Sequence, residues 1–172
     1  EGLMRLKAMA KINLGLDVLG KREDGYHEVR MIMQTIRMYD ILDIRKTRRP
    51  GIVLTTNLPF IPTDQRNLVY KAAQMLMEEF DVEEGLSIKL RKFIPVAAGM
   101  AGGSSDAAAA FVGVNRMFHL GLTEEQLMER AVKVGADVPY CIMRGTALAE
   151  GIGEKLTRLP EVPKCYVLIG KP

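Results

Sequence analysis

The 172-residue sequence has no tryptophan, only two cysteines and 6% aromatic residues. It has no uninterrupted apolar run near the roughly 20 residues that span a bilayer, and no surplus of one charge, the net value being +3. Cys141 and Cys165 lie far apart without metal-ligand spacing, which predicts buried free thiols in a reducing compartment rather than a metal site. The small net charge gives no basis for a nucleic-acid partner, though it suits an anionic ligand. The first residues, EGLMRLKAMAKINLGL, mix charges into their apolar positions and so lack a secretory core. A cytoplasmic protein without membrane or nucleic-acid partners is expected. The remainder, 48% hydrophobic and 26% charged, is ordinary for one globular domain.

Periodicity predicts the elements. Leu6–Leu19 alternates at Ile12, Leu14, Leu16 and Val18, as a half-buried strand does, and Lys21–Gly25 (KREDG) reads as a turn. Val29–Met38 reads as a second strand. Ile41–Arg45 and Ile52–Thr56 fit a hairpin joined by a solvated loop rich in arginine and lysine. Leu68–Phe80 has helical spacing with Asn67 as its N-cap, and Leu86–Leu90 alternates again. Ser105–Phe118 is an alanine-rich helix, with His119 as a partner for its C-terminal dipole. Thr123–Gln126 is a capping box opening another helix. Thr146–Glu150, Gly153–Leu159 and Tyr166–Ile169 read as strands. Strands first, helices interspersed and strands again argue for an α+β fold with a mixed or antiparallel sheet and packed helices.

Between a strand and the alanine-rich helix stand Pro95, Val96, Ala97, Ala98, Gly99, Met100, Ala101, Gly102, Gly103, Ser104 and Ser105, with no charge among them. Small residues let a bulky group approach the backbone, and the following helix offers unpaired N–H groups and a positive dipole end, which favour phosphate. Ser104 or Ser105 supplies a hydroxyl for phosphate oxygen or magnesium. The loop lacks the lysine of a Walker A motif and the spacing of G-x-G-x-x-G. A tight helix N-terminus packed on a sheet would look the same. Other residues are ambiguous alone. Asp137, in Gly135–Pro139, suits a turn or cap as well as a catalytic carboxylate. Lys11 suits the solvent face of an edge strand as well as a catalytic cation. Tyr26–His27, beyond the turn, suits stacking and hydrogen bonding to a base.

Taken in order, these segments resemble the GHMP kinases (galactokinase, homoserine kinase, mevalonate kinase, phosphomevalonate kinase). PVAAGMAGGSS is similar to their second signature motif. AKINLGLDVLGKREDGYHEVRMIMQTI and GADVPYCIMRGTALAEGIGEKL resemble the branch acting on 4-diphosphocytidyl-2-C-methyl-D-erythritol. The resemblance runs from about Ala8 to Pro172. It implies a GHMP N-terminal, ATP-binding domain over 1–172, like the second domain of ribosomal protein S5. It also implies ATP- and magnesium-dependent phosphorylation of the substrate's 2-hydroxyl, a step in the methylerythritol phosphate route to isoprenoid precursors. Asp137 would face the acceptor hydroxyl, with Lys11 holding it ionised. Asn13, Tyr26 and His27 would bind substrate, while Asn67, Lys92 and the glycine loop would bind ATP. Met9 stands where the family usually has proline. The family's third glycine-rich motif and C-terminal domain lie outside these 172 residues. Another GHMP kinase, or a non-catalytic S5-like module, would share much of this pattern.

Overall fold

The computed structural model describes residues 2–171. Its elements are β1 (Met4–Lys21), β2 (His27–Thr47), β3 (Ile52–Thr56), α1 (Leu68–Glu79), β4 (Gly85–Arg91), α2 (Gly102–Met117), α3 (Glu124–Ala131), α4 (Val138–Met143), β5 (Thr146–Gly151) and β6 (Lys155–Arg158). They form one mixed sheet, ordered β3-β4-β2-β5-β6, with β1 paired along β2. β1 runs antiparallel to β2 over nearly its whole length. β4 and β5 therefore share the other edge of β2, β4 at its C-terminal end and β5 at its N-terminal end.

α2 is the pivot of the helical layer. Every residue from Ser105 to Phe111 is buried, which only a helix enclosed on several sides allows. Its alanines explain how: short side chains let the helix lie close to sheet residues such as Leu42, Ile44 and Ile88, with Val69 and Leu76 of α1 in the same core. Local signals set the helix starts. Asn67 Oδ1 accepts from Val69 N at 2.9 Å, and the reciprocal capping box of Thr123 and Gln126 is complete. His119, in the left-handed conformation, follows the C-cap of α2.

Four sequence expectations need correction. Val29–Met38 and Ile41–Arg45 are one strand, β2. Its buried apolar positions are Met31 and Met33 in one half, then Leu42 and Ile44 in the other, with Asp40 and Asp43 buried beside the latter. The alternation slips where the pairing with β1 jumps from Tyr39 to Thr35, and that slip makes one strand read as two. The predicted hairpin of Ile41–Arg45 with Ile52–Thr56 does not form. β3 pairs parallel with β4, which lies between it and β2, so helix α1 serves as a crossover. Leu14, Leu16 and Val18 are exposed, because the C-terminal half of β1 and the start of β2 form an arm with no helix against it. Residues 159–171 carry no regular structure, so Tyr166–Ile169 is not a strand, and Cys165 is exposed while Cys141 is buried. Among the described residues, no helix is long and apolar enough to cross a membrane.

β3 and β4 depend on one close approach. A Cβ placed on Gly85 would lie 1.8 Å from Arg49 O and 2.3 Å from Thr47 Oγ1. Backbone cannot yield as a side-chain tip can. Gly85→Ala should destabilise the chain by about 1–3 kcal/mol, read as a lower urea midpoint. An unchanged midpoint would mean that the 48–51 turn moves freely.

Candidate active site

The glycine loop is strained and open. Ala97, Gly99 and Ala101 alternate with positive φ values of 57°, 72° and 54°. Alanine rarely adopts this conformation, and such outliers persist where surrounding structure over-determines them. Ala101 caps α2 without a side-chain hydrogen bond, and the first turn holds no acidic residue. Ser105 N, bonded to Ala101 O at 2.8 Å, closes the first helical ring. The N–H groups before it face outward at the positive end of the helix, an arrangement suited to an anion.

Two contacts fasten the loop to β1. Lys11 N donates to Met100 O at 3.1 Å, and Ser105 Oγ donates to Met9 O at 2.6 Å. Both fall where β1 and β2 slip, which frees the backbone of Met9–Lys11 for the loop. Ser105 is thereby committed to structure, while Ser104 remains half-buried on the cleft wall. That cleft, about 370 Å³, is lined by Pro95–Ser104 together with Asn67, Lys92 and Asp106.

Beneath the loop lies a buried charge cluster that sequence reasoning missed. Lys92 Nζ donates to Asp40 Oδ2 at 2.6 Å and to Asp106 Oδ2 at 2.7 Å. Asp40 Oδ1 accepts from Phe93 N at 2.6 Å and Ile94 N at 2.8 Å. Asn57 grips the Lys92 backbone at both N and O. A Cβ on Gly102 would stand 3.1 Å from Lys92 Nζ, so glycine there lets the ammonium sit under the helix start. Asn67 and Lys92 both line the cleft, with their polar groups largely engaged: Asn67 caps α1 and donates to Pro62 O at 2.9 Å. A charged residue inside the apolar run of β2 was the available signal for Asp40. Nothing local marks Asp106, buried only because α2 is enclosed.

One ammonium faces two carboxylates. Burial pulls Lys92 towards its neutral form, but the two aspartates outweigh it and its pKa stands above the usual lysine value. Burial, then the hydrogen bond to Asp40, pushes Asp106 well above the carboxylate range against the pull of Lys92. Asp106 Oδ1 is buried without a partner.

Lys11 is buried, not on a solvent face, and Nζ donates to Asn13 Oδ1 at 3.1 Å. Asp137 is half-buried at the N-cap of α4, its side chain free of any capping bond. Among the described residues no ion pair joins it to Lys11. Burial pushes the Cys141 thiol up to about 12; the charge of Asp137 adds to this and that of Lys11 opposes it. α4 is locked to the sheet beside Lys11. Tyr140 Oη donates to Gly145 O at 2.7 Å and lies 3.0 Å from Oγ1 of Thr35, the cross-strand partner of Lys11. Tyr26 and His27 are exposed at the tip of the arm and do not line the cleft.

Residues 67–145 match the N-terminal domain of the GHMP kinases. Over these residues the chain carries a GHMP kinase N-terminal domain. It is 57% identical over 169 residues to a 4-diphosphocytidyl-2-C-methyl-D-erythritol kinase of Lachnospira eligens, covering 98% of this chain and 59% of that protein. A protein of the same name from Caldicellulosiruptor bescii is 56% identical over 169 residues, with the same coverage. A solved 4-(cytidine 5'-diphospho)-2C-methyl-D-erythritol kinase superposes with a TM-score of 0.77 at 35% identity, over 91% of this chain and 55% of that one. Homoserine kinase from Cytophaga hutchinsonii, at 19% identity and a TM-score of 0.73 over 93% of this chain and 52% of that one, shares the fold. The chain spans about three-fifths of the length of the curated relatives it matches.

The buried cluster makes two predictions. Lys92→Met, which strands the buried side chains of Asp40 and Asp106, should cost about 3–5 kcal/mol in denaturant unfolding; a loss under about 1 kcal/mol would mean that the cluster contributes little to stability. The second concerns pH. A carboxyl with a raised folded pKa binds its proton more tightly when folded, so its stabilisation is complete below the unfolded pKa and fades as pH rises towards the folded one. From about pH 4 upwards, Asp106 should therefore withdraw stability, and Asp106→Asn should remove that decline. Melting temperature against pH for both chains checks this, and parallel profiles would assign the proton elsewhere.

Proposed function

We propose that this domain is the ATP-binding half of an enzyme that phosphorylates the 2-hydroxyl of 4-diphosphocytidyl-2-C-methyl-D-erythritol. The observation that carries the reading is the strained, uncapped loop opening α2, fastened to β1 at Lys11, with the Asp137 carboxylate free of any capping bond at the start of α4. The names of the relatives support the substrate, and the residues support the chemistry.

The N–H groups of the loop and of the first turn of α2 cradle the ATP phosphates. Asn67 and Lys92 form the nucleotide-side wall, and with its ammonium engaged Lys92 contributes backbone and stem. Magnesium fits as a partner of the phosphates: Ser104 has the hydroxyl to reach it, since that of Ser105 is spent on Met9 O. The ion would neutralise charge on the β- and γ-phosphates. Asp137 orients the acceptor hydroxyl and takes its proton as the bond from oxygen to the γ-phosphorus forms and the bond to ADP breaks. Lys11, held by Asn13, supplies positive charge where the transferred group becomes electron-rich. Positioning and electrostatics carry most of such a reaction. Tyr26 and His27, presented at the arm tip, take the cytidine: the ring by stacking, the imidazole by hydrogen bonding.

The test is coupled ADP release from a protein that extends this chain to the length of its relatives. ATP should be consumed with the cytidine diphosphate alcohol and not with homoserine or mevalonate; equal turnover with either would defeat the substrate assignment. Asp137→Ala should lower turnover by at least about 100-fold with ATP binding nearly unchanged. A variant that keeps most of its rate would remove Asp137 from the chemistry.

A further inference from the structure

A second cleft, about 650 Å³, opens between β1, α2 and α4, away from the glycine loop. That volume suits a small-molecule ligand. Ala108, Val112 and Ile142 give it apolar walls, and Arg116 and Arg144 bring positive charge to it. Its remaining charges are accounted for. Arg5 holds Asp43 through two bonds of 2.6 and 2.9 Å, and Lys7 Nζ lies 4.7 Å over the Tyr39 ring. Glu124, the carboxylate of the lining, is bound by Arg158 at 2.6 Å.

Neither remaining guanidinium has an acidic partner among the described residues. Arg144 Nη2 donates to Lys7 O at 2.7 Å, and Arg116 has no side-chain hydrogen bond there. A helix C-terminus accounts for one arginine at position 116. It does not account for a second brought to the same cleft. Arg144 is also strained, with φ 61° and ψ −176°, a region that is essentially glycine's. Its guanidinium pKa is lowered, first by partial desolvation and then, against an opposing pull from Cys141, by repulsion from Arg116. Two guanidinium groups in one cleft, neither paired with a carboxylate among the described residues, are what an anion would pair with.

We propose that the cleft between β1, α2 and α4 binds a phosphate ester, its phosphate held between Arg116 and Arg144 and a short apolar group lying against Ala108, Val112 and Ile142. This site is independent of the kinase reading, since it shares no residue with the glycine loop.

The test is a backbone-amide NMR titration of the 172-residue chain with inorganic phosphate and with n-butyl phosphate, the loop first saturated with a non-hydrolysable ATP analogue. Saturable shifts are expected at residues 115–116 and 141–145, with butyl phosphate binding several-fold more tightly than phosphate. Arg116→Ser and Arg144→Gly should each weaken binding at least about fivefold. Arg144→Gly relieves backbone strain, so it keeps the fold while removing the guanidinium. Shifts that do not saturate, that stay within Pro95–Ser105, or that persist unchanged in both variants would overturn the proposal. A site that binds both probes equally would overturn its apolar half.

Discussion

One lysine ammonium, caught between two buried aspartates, joins the parts on which the rest of the domain relies. Asp40 comes from β2, Lys92 from the end of β4 and Asp106 from α2. The cluster ties the sheet's longest strand, the segment leading into the glycine loop and the helix that opens it. A buried ion pair is weak evidence of net stability, because desolvation cancels much of the attraction. Its value here is geometric. Apolar contacts are non-directional, whereas three polar groups within hydrogen-bonding distance fix one placement of α2 on the sheet. The excess carboxylate is the cost of that arrangement, and it places a titrating proton directly below a phosphate-shaped surface.

The loop's strain and the cluster's order are two sides of one design. Alanines at positive φ hold their conformation only if the chain on either side is fixed. Asp40 and Asn57 fix it on the β4 side, and Ser105 and Asp106 fix it on the helix side. The N–H groups are thus aimed before any ligand arrives, which reduces the ordering that binding would require. Lys11 and Asp137 likewise rest on elements held to each other through Thr35, Tyr140 and Gly145.

Much of this was legible in the sequence where signals are local. The capping residues, the alanine-rich helix, the glycine loop and the run of strands and helices all follow from short-range chemistry. The α+β class and the GHMP resemblance followed from their order. What escaped depends on distant contacts. β3 looked like the hairpin partner of its neighbour, but β4 takes that place, and nothing near Ile52 says so. Leu14, Leu16 and Val18 carry the alternation of a half-buried strand and yet stand in solvent, since periodicity reports a face and not what covers it. Asp106 reads as a polar residue near a helix start, and Lys11 as a surface lysine. Their burial is decided by α1, α4 and the sheet.

The slip in β2 has a meaning beyond its effect on prediction. With one residue fewer between Met33 and Asp40, a plain alternating strand would carry Met31, Met33, Leu42 and Ile44 to the core with no irregularity at all. The sheet has no need of the surplus. It is the irregular backbone of Met9–Lys11 opposite it, where Ala10 has no partner on β2, that receives Met100 and Ser105 and so seats the loop. Fold and site are therefore separable at this point in the chain: a tidier β2 would leave a sound sheet and a loop with nowhere to dock.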